Sequence, residues 1–229
     1  MGLGIIGLRK PKTGESFIKR IIGIFGGSFN PPHLGHLHLA KEAYTRFPLD
    51  EIWFLVSPHN PLKNKHELED FSERVEMCKL LLADAPYCTV STFESDNHLQ
   101  KTAETLAALQ QNFPDTQFVW LMGSENWQHF HKWEQWQFIL NNFPVISFYR
   151  EDDTETYDSY ESTKEFNRFR CEASANIGPA PQWRVVNIPQ HKGRATTIRK
   201  QLAKGDTPEH LNSEQEKRIK DKKTFCLST

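Results

Sequence analysis

From residue 20 onward, short apolar runs alternate with helix-length amphipathic stretches, and this alternation narrows the fold more than any other feature of the chain. Strand-like runs fall at Ile21–Phe25, Ile52–Ser57, Cys88–Phe93, Phe118–Met122, Val145–Phe148 and Arg184–Ile188. Helix-like stretches fall between and after them, at Gly35–Arg46, Ser72–Ala83, Thr102–Asn112, Trp133–Asn141 and Thr196–Lys204. Strands that alternate with helices build right-handed βαβ units on a parallel sheet. The expected fold class is therefore α/β, a Rossmann-like doubly wound parallel sheet, with a helical C-terminal segment. In such sheets ligands bind beyond the carboxyl ends of the strands, so motifs that follow strands can converge on one cleft.

Residues 1–19 show no period and read as a loose leader. Residues 20–205 read as the α/β domain, and 206–229 as a helical tail packed on it or extending it. In that tail Glu214–Lys223 is a charge-rich helix candidate whose lysines and Arg218 read as a solvated face. One segment breaks the alternation: 151–182 is acid-rich, then carries Gly178-Pro179-Ala180-Pro181. It reads as a polar insertion, a solvated loop or, more sharply, a lid or an oligomer contact. Whether the chain forms a homo-oligomer stays open.

Composition excludes several classes. The 229 residues are enough to bury a core. A formal net charge of −1 gives no basic field for nucleic acid. No apolar run approaches the ~20 residues of a membrane span, and the apolar patch at the start precedes its charges, the wrong order for a secretory signal. Cys78, Cys88, Cys171 and Cys226 are scattered without a C-x-x-C, which fits reduced thiols in a cytoplasmic protein better than a disulfide framework or a zinc site.

The first strand breaks at Gly26-Gly27-Ser28-Phe29-Asn30 and then Pro31-Pro32-His33-Leu34-Gly35-His36 opens a helix. Glycines let backbone approach an anion, and N–H groups at a helix start point toward it. His33 and His36, three apart, share one face of that first turn. The glycine spacing matches neither G-x-x-x-x-G-K-[ST] nor G-x-G-x-x-G. A metal site built with His38 lacks a nearby acid or cysteine, so no metal ligand set of protein side chains is expected.

The run G-x-F-G-G-S-F-N-P-x-H-x-G-H resembles the nucleotidyltransferase superfamily with the (T/H)-x-G-H signature and, within it, the bacterial nicotinate-mononucleotide adenylyltransferases. The resemblance covers roughly residues 20 to 205 and rests on separated motifs. Ser57-Pro58-His59-Asn60-Pro61-Leu62-Lys63 is similar to the family's proline-rich loop that ends in a lysine near the phosphates. Lys101-Thr102-Ala103-Glu104-Thr105-Leu106 resembles its Y-T-x-x-T-L helix start, and Gly123-Ser124-Glu125 its G-x-D. Phe130 and Trp133 match F-x-x-W, and Arg194-Ala195-Thr196-Thr197-Ile198-Arg199 resembles I-S-[ST]-T-x-[IL]-R.

The resemblance implies transfer of AMP from ATP to nicotinate mononucleotide, with release of pyrophosphate and with Mg²⁺ accompanying ATP. It implies catalytic roles for His33, His36, Lys63 and Arg199. It implies ATP contacts from Gly26, Gly27, Ser28, Phe29, His33, His36, Thr196, Thr197 and Arg199, and mononucleotide contacts from Asn30, Lys63, Thr102, Glu125 and Trp133. The chemistry is consistent with these side chains. A phosphate monoester is largely dianionic at neutral pH, so it attacks without a protein nucleophile. The protein has to hold two polyanions together and stabilise charge at the α-phosphate and the departing pyrophosphate.

The chain departs from the family pattern at Asn30, Lys101, Glu125 and Arg194-Ala195, where Asp, Tyr, Asp and a serine region are common. Bland readings stand beside several positions. Thr102, Thr196 and Thr197 suit helix caps, Trp133 suits core packing, and His129 and His131 suit polar surface. Nicotinamide mononucleotide or another phosphate ester as acceptor, and a non-catalytic nucleotide-binding protein, remain alternatives at this level.

Overall fold

A computed structural model describes residues 20–58, 68–150, 157–174 and 176–222. The leader 1–19, Lys63 and Cys226 lie outside the described residues. The strands are β1 (Arg20–Gly27), β2 (Glu51–Val56), β3 (Cys88–Ser91), β4 (Thr116–Gly123), β5 (Val145–Arg150) and β6 (Trp183–Ile188). They form one sheet in the order β3-β2-β1-β4-β5-β6, and every neighbouring pair is parallel. The doubly wound α/β fold expected from the alternation is the fold observed. Strand order reverses between β1 and β4, which puts the ligand crevice at the carboxyl ends of those two central strands.

Nine α-helical segments are described: α1 (Leu34–Arg46), α2 (Phe71–Leu81), α3 (Phe93–Asp96), α4 (Thr102–Asn112), α5 (Ser124–Trp127), α6 (Trp136–Asn142), α7 (Glu161–Phe166), α8 (Ala195–Ala203) and α9 (Ser213–Lys222). Strand residues point alternately to the two faces. Val119 and Leu121 of β4 join Leu39, Ala40 and Ala43 of α1 and Val75, Cys78 and Leu81 of α2 in one core layer. Phe118, Trp120 and Met122 join Ala103, Leu106 and Leu109 of α4 and Ile139 and Leu140 of α6 in the other. Burial on both faces explains why the central strands read as continuous apolar runs. Each such Ile, Leu or Phe contributes about 1.5–3 kcal/mol relative to exposure.

Three sequence expectations shift. Trp133 does not begin a helix: it follows a 3₁₀ turn at Phe130–Lys132, and α6 starts at Trp136 after Gln135, which is left-handed at φ 56°. The polar segment is not a solvated loop over its described part. Tyr160 and Phe166 join the core, Trp127 Nε1 donates to Thr163 Oγ1 at 2.9 Å, and Trp183 Nε1 donates to the Phe166 carbonyl at 2.7 Å. Polar composition hid this because the anchoring residues are few and spaced apart. Finally, α9 exposes Lys217 and Lys220 as expected, but Arg218 is not part of that solvated face and the helix is docked. Arg218 grips Glu73 of α2 through Nε at 2.6 Å and Nη2 at 2.8 Å, and Gln215 is wholly buried.

Candidate active site

The loop between β1 and α1 supplies the centre of the site. Gly26 and Gly27 are still strand residues, in register with Leu55 and Val56 of β2. Glycine at 26 answers to packing: a Cβ there would stand 2.4 Å from Cη2 of Trp120. The turn itself is made at Phe29, which holds a left-handed φ of 46°. That conformation costs a non-glycine residue about 1–2 kcal/mol. The Phe29 ring offsets it by packing edge-on against Phe25, centroids 5.6 Å apart, and His36, 5.1 Å apart.

His33 is the N-cap of α1 and His36 is its third residue, so the two imidazoles stack with centroids 3.7 Å apart. The His33 backbone N–H donates to His36 Nδ1 at 3.1 Å, which in the neutral ring leaves the proton on Nε2 as an outward donor. The helix start is less open than the motif suggests. Leu34 N–H donates to His210 O at 2.9 Å and His36 N–H to His33 O at 2.8 Å. Gly35 lets the segment before α8 approach, since a Cβ there would lie 2.7 Å from the Gly193 carbonyl oxygen.

On the far wall, α8 begins at Ala195 with Arg194 as its N-cap, so neither threonine caps it. Thr196 is exposed and lines the cleft; Thr197 is exposed and does not line it. Arg199 Nη1 donates to the Asn30 carbonyl at 2.6 Å, and Asn30 Oδ1 accepts from Glu69 N–H at 3.2 Å, so Asn30 ties together three segments.

One cleft of about 880 Å³ runs over these elements. Gly26 to Asn30, His33 and His36 line its centre, with Thr196 and Arg199 on one side and Thr102, Glu125 and Trp133 on the other. Of the expected site residues, only Lys63 lies outside the described residues, and Thr197 is described but does not line the cleft. Thr102 is the first residue of α4, whose N-cap is Lys101. Trp133 is half-buried and meets Trp120 edge-on at 6.2 Å and Phe130 at 5.4 Å, so it packs on the core and also walls the cleft. The Glu125 carboxylate folds over Gly123, where a Cβ would sit 2.5 Å from Oε2. Across the mouth Lys101 Nζ meets Glu134 Oε1 at 2.6 Å, and that hydrogen bond raises the lysine pKa.

The sequence reading missed Glu94, which follows β3 within α3, lines the cleft and is 6 % exposed. Burial raises its pKa, and hydrogen bonds from Thr105, at 3.0 Å, and from Ser57 oppose the shift. A carboxylate directly after a strand end was the available signal. His129, expected at polar surface, also lines the cleft, as does His191, while His131 pairs with Ser162 Oγ at 3.0 Å. Among the described residues no three His, Cys, Asp or Glu side chains are grouped to hold a metal ion, and no helix is long and apolar enough to cross a membrane.

Residues 24–201 match the cytidylyltransferase-like family model. A protein of Rhizobium leguminosarum bv. trifolii named "Probable nicotinate-nucleotide adenylyltransferase" is 39 % identical over 183 residues, covering 78 % of this chain and 95 % of its own length. A protein of the same name from Brucella suis biovar 1 is 38 % identical over 184 residues, covering 78 % and 94 %. In structure, the chain is similar to Plasmodium falciparum nicotinic acid mononucleotide adenylyltransferase complexed with NaAD, with TM-score 0.70 and 17 % identity over 90 % of this chain and 97 % of that one. At that identity the likeness speaks for the fold.

Proposed function

The chain belongs to the nicotinate-nucleotide adenylyltransferases of the cytidylyltransferase-like family, and from this premise we infer how its cleft carries out their reaction. The enzyme transfers AMP from ATP to nicotinate mononucleotide, giving nicotinate adenine dinucleotide and pyrophosphate. The observation that carries this reading is the stacked His33–His36 pair in the middle of one continuous cleft, between the α8 wall and the Trp133 wall.

A phosphate oxygen of the mononucleotide attacks the α-phosphorus of ATP in line. A new P–O bond forms, the bond to the bridging oxygen of the β-phosphate breaks, and pyrophosphate leaves with that electron pair. The attacking phosphate, with a second pKa near ~6, needs no proton removed. We assign His33 and His36 to the phosphate oxygens, where oriented imidazole N–H donors stabilise charge that grows during transfer. Gly26, Gly27, Ser28 and Phe29 are assigned to the floor beneath ATP, with Thr196 and Arg199 on its side; Thr197, which does not line the cleft, is given no contact. Arg199 also ties α8 to Asn30. Lys63 is assigned to the phosphates by its motif.

Asn30, Thr102, Glu125 and Trp133 are assigned to the mononucleotide, the indole stacking on the pyridine ring. Lys101 and Lys132 line that side together with Glu125 and Glu134, with Lys101 paired to Glu134. The donor set fits Mg²⁺ bound mainly through ATP oxygens, with no protein cage required. When bound, the ion neutralises charge on the polyphosphate.

Purified protein with Mg²⁺, ATP and nicotinate mononucleotide is expected to release pyrophosphate, and to do so more slowly with nicotinamide mononucleotide. No release with either acceptor overturns the reading.

A further inference from the structure

Arg74 is 1 % exposed, on the second turn of α2, and none of the expected site residues. Its guanidinium reaches the carboxyl ends of β1 and β2. Nη1 donates to Ser28 O at 2.6 Å and to Ser57 O at 2.8 Å, Nη2 to Pro58 O at 3.1 Å, and Nε to Glu69 O at 3.0 Å. Among the described residues no carboxylate forms an ion pair with it. The ladder between β1 and β2 ends with Ser57 N–H donating to Gly27 O at 2.9 Å. Just beyond that point the two protons of a single nitrogen reach one carbonyl of each departing loop.

Burying a guanidinium without a carboxylate costs several kcal/mol unless its donors are met, and replacing such a group by an apolar one is often neutral or stabilising. Stability alone therefore does not account for an arginine here. Its rigid planar fork does something apolar packing cannot do: it fixes two carbonyls relative to each other. Both Ser28 and Ser57 line the cleft. Ser57 also opens the segment that carries Lys63.

We infer that Arg74 is a positioning residue for adenylyl transfer, setting the spacing between the β1–α1 loop that carries His33 and the start of the β2–α2 loop at Ser57 and Pro58. This rests on the function proposed above. Reacting groups misplaced by about 1 Å lose on the order of 10²-fold in rate, while ground-state binding suffers less. The fork acts on geometry, so kcat takes the loss.

The test compares wild type with Arg74→Ala and Arg74→Lys, at a temperature where circular dichroism shows each folded. Arg74→Ala is expected to lose about 10²-fold in kcat, with both KM values within about fivefold of wild type. Millimolar guanidinium is expected to recover part of that kcat, and equal urea or sodium chloride is not. Arg74→Lys keeps the charge but not the fork and is expected to lose at least about tenfold, which decides the matter should the alanine variant not fold. Hydrogen exchange at the amides of Ser28, Phe29, Asn30, His33 and Ser57 is expected to quicken in Arg74→Lys. A kcat within twofold of wild type, or unchanged exchange at both loops, overturns the inference. Were wild type itself inactive, the functional reading would fall, and the exchange arm would still decide whether Arg74 holds the two loops.

Discussion

Gly26→Ala tests whether this glycine exists to seat Trp120. An added Cβ would lie 2.4 Å from Trp120 Cη2 and 3.2 Å from Cζ2 and Cζ3. Carbon atoms pack at about 3.5–4.0 Å, so the indole has to retreat by about 1 Å. It has no room to do so: Trp120 is 3 % exposed and sits in the layer with Ile22, Ile24 and Met122. Overpacking of this kind costs about 1–3 kcal/mol. At about 2–4 °C per kcal/mol for a chain of this length, the melting temperature should fall by roughly 6 °C. The indole also walls the cleft beside Trp133, so KM for the mononucleotide should rise more than KM for ATP. Trp120→Phe removes most of the clashing atoms and alone leaves a void worth about 1–2 kcal/mol. The double variant should therefore be more stable than the two losses added together, by about 1–2 kcal/mol of coupling. Urea unfolding of the four proteins, read alongside pyrophosphate release, measures this. Additive losses, or a Gly26→Ala protein that melts with wild type, would refute the packing argument.

His36→Ala should lower kcat by about 10²–10³-fold while the melting temperature moves only slightly, as expected for a group that stabilises transition-state charge; pyrophosphate-release kinetics and calorimetry check both halves. Lys101→Ala breaks the exposed pair with Glu134 at the acceptor mouth, and KM for nicotinate mononucleotide should rise no more than about fivefold, an effect that added salt removes. Glu94 has its pKa raised by burial. The unfolded chain ionises first as pH rises, so this group's contribution is full below about 4.5 and is lost as pH climbs through the folded value. Glu94→Gln should remove that decline, seen as a wild-type urea midpoint that falls relative to the variant as pH rises above about 4.5. Arg218→Ala removes both guanidinium hydrogen bonds to the Glu73 carboxylate, whose side chain is 8 % exposed, and should cost about 1–2 kcal/mol in urea unfolding.

The sheet was legible because β1, β4 and β5 are buried on both faces, which leaves uninterrupted runs such as Phe118–Met122 in the sequence. The His33–His36 juxtaposition was legible because three-residue spacing at a helix start is a local rule. What escaped reading depends on distant partners. Gly26 looked like an anion-turn glycine because the ring above it comes from β4, more than ninety residues on. Arg74 and Glu94 each look like an ordinary surface charge until the fold brings Ser28, Ser57 and Thr105 to them. Gln215 sits in a strongly polar helix, yet its amide is buried between two carbonyls. Single polar residues leave no periodicity, so apart from the place of Glu94 after a strand end a window of sequence carries no trace of their tertiary role.

The docking of α8 and α9 also bears on the order in which the molecule can assemble. Arg199 closes on Asn30 across 169 residues of chain, and Gln215 Nε2 on Pro32 across 183. Contacts of such separation form late, since the entropy of closing the intervening chain precedes any return from them. During synthesis the strand carrying the histidine loop emerges early, but its loop lacks these two anchors until the segment through residue 215 has cleared the ribosome. A partly made chain can thus have most of its sheet while the β1–α1 loop is still unanchored, and the cleft takes its finished geometry only once translation has passed α9.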